Sequence, residues 1–235
     1  SSAASDVYKR QVYPVTSPDA EDDFDKEQLG LQWQWNANPK DGWYALDTEK
    51  HQLILKAVQR HADTITNEPN LLLQKWCMPE FCAETMLNLE AMRSGDMAGL
   101  ISLGVTYGAV AIAKESDAYV IKLIHGKQHF DKEEASAEDI ITEVKRLPLT
   151  VKEIYFNNTV KQIPSTEYNQ DGPYTFPIPA EVISLGYSID GGDFEDIYSY
   201  PSEAGRWVGV KNGLFCCHKG SGEAGEVRVS YFHFV

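Results

Sequence analysis

The chain has 235 residues, 43% of them hydrophobic, with 5 Trp and 12 Tyr and a formal net charge of −14. That length suits one large β-sandwich or two small domains and can bury a sizeable core. The acidic field repels phosphate backbones and anionic lipid, so no nucleic-acid and no membrane partner is expected, and a neutral or cationic ligand stays open.

From the N-terminus, residues 1–11 show no apolar period and resemble translated adaptor sequence, so they are set aside as a tail. The chain is accordingly expected to be the tail end of a longer protein. Residues 12–21, with Pro14 and Pro18, read as an extended linker. One folded domain is expected over 22–235, with 1–21 as tail and linker. Residues 22–25 set turn formers around Phe24, and residues 29–36 then alternate in strict period two. This predicts a strand with Leu29, Leu31, Trp33 and Trp35 on a buried face and Gln32 and Gln34 on an amide face. Residues 36–42 form a turn-rich loop, and strand chemistry resumes at Trp43 and Tyr44.

A third strand is expected over 52–56, followed by a loop or short helical turn over 58–70 that contains His61. Residues 71–76 follow, and 81–89 alternate cleanly. After Gly95, strands over 98–104, 107–112 and 119–124 complete this run, which reads as a meander. The charged run 129–136 reads as a solvated hairpin arm or loop. Residues 140–144 are β-rich and read as strand in preference to helix. Strands over 151–156 and 159–163 flank Asn157-Asn158, a predicted tight hairpin. A strand over 181–189 ends at Asp190-Gly191-Gly192, and strands over 208–217 and 226–234 close the chain. Neither an internal repeat nor a long helix is visible. The prediction is all-β: an antiparallel β-sandwich in one domain.

No stretch approaches the ~20 apolar residues that span a bilayer, and no signal peptide is visible, so the compartment stays undecided. Cys77, Cys82, Cys216 and Cys217 do not form a zinc-like pattern with histidines. Cys216 and Cys217, adjacent in a strand, face opposite ways, one to the core and one outward or under a loop. Cys77 and Cys82 could bridge across Pro79, or the thiols could all be free. No cofactor is expected. A calcium ion on loop oxygens at Asp22, Asp23 or Asp190 stays open, although their spacing matches no defined calcium loop. The histidines are scattered, no nucleophile elbow appears, and residues 220–225 form a loop rather than a phosphate cradle because no helix follows.

Asp23-Phe24 followed by Leu31-Gln32-Trp33-Gln34-Trp35-Asn36 resembles the opening of the concanavalin A-like C-terminal domain of family 43 glycoside hydrolases. That family includes β-xylosidases and α-L-arabinofuranosidases. Asn70-Leu71-Leu72 with Gln74, Ala98-Gly99-Leu100 followed by Tyr107, and Tyr187-Ser188-Ile189-Asp190-Gly191 with Phe194 extend the likeness. Gly205-Arg206-Trp207-Val208-Gly209 leading to Gly213-Leu214-Phe215 completes it, so it covers roughly 22–234. The family's closing strand often carries two acids; Arg228 and Ser230 stand in their places here. The resemblance implies that the catalytic carboxylates lie on an N-terminal five-bladed propeller absent from this chain. It also implies that the sandwich packs on that propeller and lends an aromatic-bearing loop to its pocket rim. Trp207, with Arg206 beside it, is the candidate for that loop, and a core indole at a strand start is the alternative.

Three functions compete. An enzyme needs two carboxyl groups ~5–9.5 Å apart across a glycosidic bond. The acids here read as a solvated surface, and Glu84, alternating with Cys82 and Met86, has no second acid at a paired spacing. A stand-alone binding module for plant cell-wall polysaccharide could use Gln32, Gln34, Trp43, Tyr44 and Trp76 as a stacking and hydrogen-bonding surface. An accessory brace for the propeller, with weak contact to xylan- or arabinan-derived saccharides, predicts an exposed apolar, aromatic-rich patch on one side. The brace is the favoured reading, with no catalytic residue in this chain.

Overall fold

The computed structural model describes residues 20–76, 78–130, 135–163, 180–202 and 209–235; the tail and most of the linker read from the sequence lie outside them. The described residues form two sheets. The nine-stranded sheet contains β1 (Gln34–Trp35), β4 (Val58–Gln59), β5 (Leu72–Lys75), β7 (Asp96–Leu103), β8 (Thr106–Lys114), β9 (Tyr119–Phe130), β10 (Ala135–Ala137), β11 (Ile140–Leu147) and β15 (Lys211–His218). The seven-stranded sheet contains β2 (Tyr44–Asp47), β3 (Gln52–Lys56), β6 (Phe81–Asn88), β12 (Glu153–Ile163), β13 (Ala180–Ser188), β14 (Glu195–Pro201) and β16 (Glu226–Phe234). Pairing is antiparallel apart from β4, which lies parallel to β15. The predicted all-β sandwich is the observed fold.

Period two explains how the sheets face each other. On β6, Phe81, Ala83, Thr85 and Leu87 are buried and Cys82, Glu84, Met86 and Asn88 are half-buried, strictly in turn. The first set joins Leu53, Leu55, Leu100, Ile112, Phe156, Leu185, Val229 and Phe232 in the core between the sheets. A second apolar cluster covers the outer face of the nine-stranded sheet: Ile65, Leu71, Leu73, Ile101, Tyr107, Ile124, Phe215 and Cys217. Much of its cover is the segment 60–71, with a 3-10 turn at Ile65–Asn67. Strands β7, β8 and β15 are therefore buried on both faces, which is why they read as unbroken apolar runs. Cys216 faces the inter-sheet core and Cys217 the outer cluster, one on each side as their adjacency requires. Cys82 is a free thiol; its proposed partner Cys77 lies outside the described residues.

Three expectations are corrected. Residues 29–36 are not one strand: Trp33 N–H closes a turn onto the Gly30 carbonyl at 3.2 Å, and strand pairing is confined to Gln34 and Trp35. Leu31, expected in the core, is 92% exposed on that turn. Trp33 and Trp35 do pack against the core, Trp33 fixed by its indole N–H donating to Asp22 Oδ2 at 2.8 Å. Asn157-Asn158 is not a hairpin, because β12 runs straight through it, paired with β6 on one side and β13 on the other. Ladder bonds on both edges hold the backbone extended, and Asn158 Nδ2 donates to the Ser184 carbonyl at 3.3 Å. The meander is real for β7–β8–β9, but β15 inserts between β5 and β7, and β6 belongs to the other sheet.

Candidate functional site

Register assigns the loops to one end of the sandwich or the other. Lys211 pairs with Lys75 and Leu103, Leu103 with Tyr107, and Thr106 with Lys127. In the facing sheet Pro201 pairs with Val182, Ala180 with Ile163, and Phe81 with Val160. Thr106 Oγ1 donates to the Pro201 carbonyl at 3.4 Å, and Trp76 meets Phe81 edge-on at 5.4 Å, so these two sets share one end. Val235 joins them, its N–H donating to the Cys82 carbonyl at 2.9 Å. Segment 203–208, which carries Arg206 and Trp207, lies outside the described residues; its neighbours Ser202 and Gly209 are at this end.

Beside this end, between edge strand β14 of one sheet and β8 and β9 of the other, lies a slot of about 350 Å³ lined by Tyr107, His125, Tyr198, Tyr200 and Ser202, among others. Tyr198 and Tyr200 are two residues apart on β14 and share a strand face. The Tyr198 ring stacks on His125 at 4.5 Å between centroids, with a 3.3 Å hydrogen bond between its hydroxyl and Nδ1. Tyr200 donates to the Ser102 carbonyl at 3.4 Å, and Tyr107 to Asp139 Oδ1 at 2.7 Å. Gly108 and Gly126 admit these rings: a Cβ would come within 2.8 Å of the Tyr200 ring and 2.4 Å of the Tyr107 hydroxyl. Burial raises the ionisation of both tyrosines well above the usual phenol range. Behind Tyr200, Gln74, Asn212 and Ser102 stand side by side on β5, β15 and β7, all buried. Gln74 Nε2, both amide atoms of Asn212 and Ser102 Oγ have no hydrogen-bond partner among the described residues.

The residues singled out from sequence are dispersed. Trp43 is buried, and it and Tyr44 each lie 5.4 Å from Trp35 where β1 and β2 close the opposite lateral edge. Gln34 is exposed on β1, whereas Gln32 is half-buried and donates to the Glu21 carbonyl at 3.3 Å. Trp76 is half-buried at the loop end, and its indole nitrogen is enclosed. Sequence reasoning passed over Tyr198, Tyr200 and His125. The signal was present: two tyrosines at period two, facing strands interrupted by Gly108 and Gly126.

The carboxylates fall into three settings. Asp22 accepts from the Phe24 N–H and the Trp33 indole, Asp23 bonds His233, and Asp190 accepts from Ser188 and the Gly192 N–H. Those backbone and hydroxyl donors lower the Asp190 ionisation. Glu84 accepts from Tyr231 at 3.3 Å on the outer face of the seven-stranded sheet, where the Tyr231 ring stacks on His233. Glu68 has the profile of a general acid, pushed up to about 7 by burial, which the Arg60 charge partly opposes. Its side chain is 1% exposed, however, and ion-paired to Arg60 at 2.9 Å, and Arg60 also reaches Asp139 at 3.2 Å. No substrate reaches it; the group fastens segment 60–71 to the sheet. Among the described residues no cluster of three or more His, Cys, Asp or Glu is placed to hold a metal ion.

Two facing, largely antiparallel sheets around a shared apolar core define a concanavalin A-like sandwich. Residues 21–235 match the β-xylosidase C-terminal concanavalin A-like domain, and the chain belongs to that family. It is 23% identical, over 97% of its length, to a β-xylosidase of Formosa agariphila. It superimposes with a TM-score of 0.75 at 18% identity, over 91% of its length, on a family 43 glycoside hydrolase engineered for both endo-xylanase and exo-arabinofuranosidase activity. With a xylan β-1,4-xylosidase from Bacillus halodurans the TM-score is 0.65 at 17% identity, over 94% of the chain. The chain spans 37% of the curated relative and 40% of each of these two structures.

Proposed function

We propose that this chain is the accessory domain of a xylosidase- or arabinofuranosidase-type glycoside hydrolase. Its loop end docks on a five-bladed catalytic propeller, and segment 203–208, with Arg206 and Trp207, contributes to the rim of the propeller's pocket. The observation that carries the reading is that four of the ten exposed large apolar side chains among the described residues lie at that end: Met78 39%, Ile163 49%, Phe130 62% and Val235 73% exposed. Side chains of this kind left in water at the end of a polar sandwich mark a contact surface. The family membership supplies the partner's class. Hydrolysis belongs to the propeller, and Glu68, whose carboxyl burial raises to about 7, is sealed away from solvent. The test is to produce the propeller half separately and add this chain in trans. Co-elution on size exclusion and a gain in aryl-β-xyloside hydrolysis or propeller Tm are expected. Failure to co-elute with propeller activity unchanged, or sugar release by this chain alone, would overturn the proposal.

A further inference from the structure

We infer that the slot between β14 and β8–β9 is a saccharide subsite of this domain's own, seating one neutral pentose or hexose ring. The inference rests on the reading above for the origin of the sugar, but not for its binding, which needs no partner. Tyr198 and His125, stacked on each other and both half-buried, line the slot with aromatic ring surface of the kind against which the C–H face of a sugar packs. The rest of the lining is hydroxyl, imidazole and backbone: Thr106, Ser202 and Pro201 at the mouth, and Tyr107 and Tyr200 at the walls. These hydroxyls donate within the protein, Thr106 to the Pro201 carbonyl, Ser202 to Glu181 and Tyr200 to the Ser102 carbonyl, and their remaining lone pairs can accept from the hydroxyls of a sugar.

Charge narrows the ligand. Among the described residues no Asp, Glu, Lys or Arg lines the slot. The acids behind it are engaged, Asp139 with Arg60, Tyr107 and the Ile65 N–H, and Glu181 with Ser202. An ionised ligand would lose its hydration without an opposite charge in return, and a neutral polyol loses far less. About 350 Å³ lies at the small end of ligand pockets, room for one ring rather than a chain. The inner wall is held before any ligand arrives, because the Tyr200 hydroxyl is bonded to the Ser102 carbonyl and its ring is seated against Gly108, where a Cβ would come within 2.8 Å of it. The competing occupant is an aromatic side chain of the docked catalytic domain.

The experiment is an amide NMR titration of this chain alone with xylose, arabinose and xylotriose, repeated on Tyr198→Ala and on the milder His125→Gln. Shifts confined to 106–108, 125–126 and 198–202, saturating with a Kd of roughly 1–10 mM, are expected. Tyr198→Ala should weaken binding about tenfold or more, the loss of a stacking contact. If Tyr198→Ala does not fold, His125→Gln with an unchanged Tm and weakened binding carries the same test. No shifts there at several times that concentration, or shifts centred on Trp43 and Tyr44, overturn the inference. So does absence of sugar shifts combined with loss of propeller co-elution in His125→Gln, which would assign the slot to protein contact. Docking and sugar binding are read on separate samples, so either can fail alone.

Discussion

Glu68 shows how a single side chain can have a catalytic acid's titration and a structural role. Its folded-state value of about 7 lies above the ordinary 4.5, so between those pH values the unfolded chain has released the proton that the folded chain retains. Stability therefore falls as pH rises through that window, by on the order of 3 kcal/mol in total. Glu68→Gln removes this dependence. Urea unfolding at pH 4.5 and pH 7.5 should show the variant gaining about 3 kcal/mol on the wild type between the two. The paired thiols are equally informative. Burial raises Cys217 to about 12 and Cys216 well above its ordinary value, whereas Cys82 is half-exposed and raised less. Iodoacetamide labelling followed by peptide mass spectrometry should modify Cys82 in the native protein and leave Cys216 and Cys217 untouched until unfolding. The opposite facing of Cys216 and Cys217 was legible from their adjacency, but the shifts of these groups were not, since the low dielectric that causes them comes from packing against segment 60–71 and the facing sheet.

Among the elements, residues 29–35 separate a local pattern from its use. Alternation predicted four buried side chains; a turn at Gly30–Trp33 broke the strand, because β5 offers pairing to Gln34 and Trp35 alone. Leu31→Ser should change stability by less than ~0.5 kcal/mol, while Trp33→Ala should cost about 3–5 kcal/mol, both read by denaturant unfolding. Within β15, Gly213 lies where two backbones approach: a Cβ would sit 1.9 Å from the Leu72 carbonyl oxygen. Gly213→Ala forces β5 and β15 apart and should cost about 3 kcal/mol, or roughly 10 °C in Tm by calorimetry. Clean alternation made β6 legible, and β-rich composition did so for β11. Asn157-Asn158 misled because paired amides between apolar runs commonly turn, and only partners on both edges keep them extended. β14 went unread because Glu195-Asp196 hides its short pattern.

For the molecule as a whole, function depends on which loops share an end. Phe130→Asp and Ile163→Asp change exposed apolar positions at the loop end. Each should lower propeller co-elution at least about tenfold while leaving the Tm of this chain unchanged. Equal co-elution would place the docking surface elsewhere.

By itself the sequence determined that this chain is an acidic, all-β sandwich, because period-two burial is written in neighbouring residues, and its motifs carried the family likeness across nearly its full length. Tertiary structure alone decided that β15 lies between β5 and β7, that Asp22 bridges to Phe232, and that His125 meets Tyr198 across the two sheets. Strand order and register come from pairings between residues far apart in the chain, and alternation, which is the same for any partner, does not specify them.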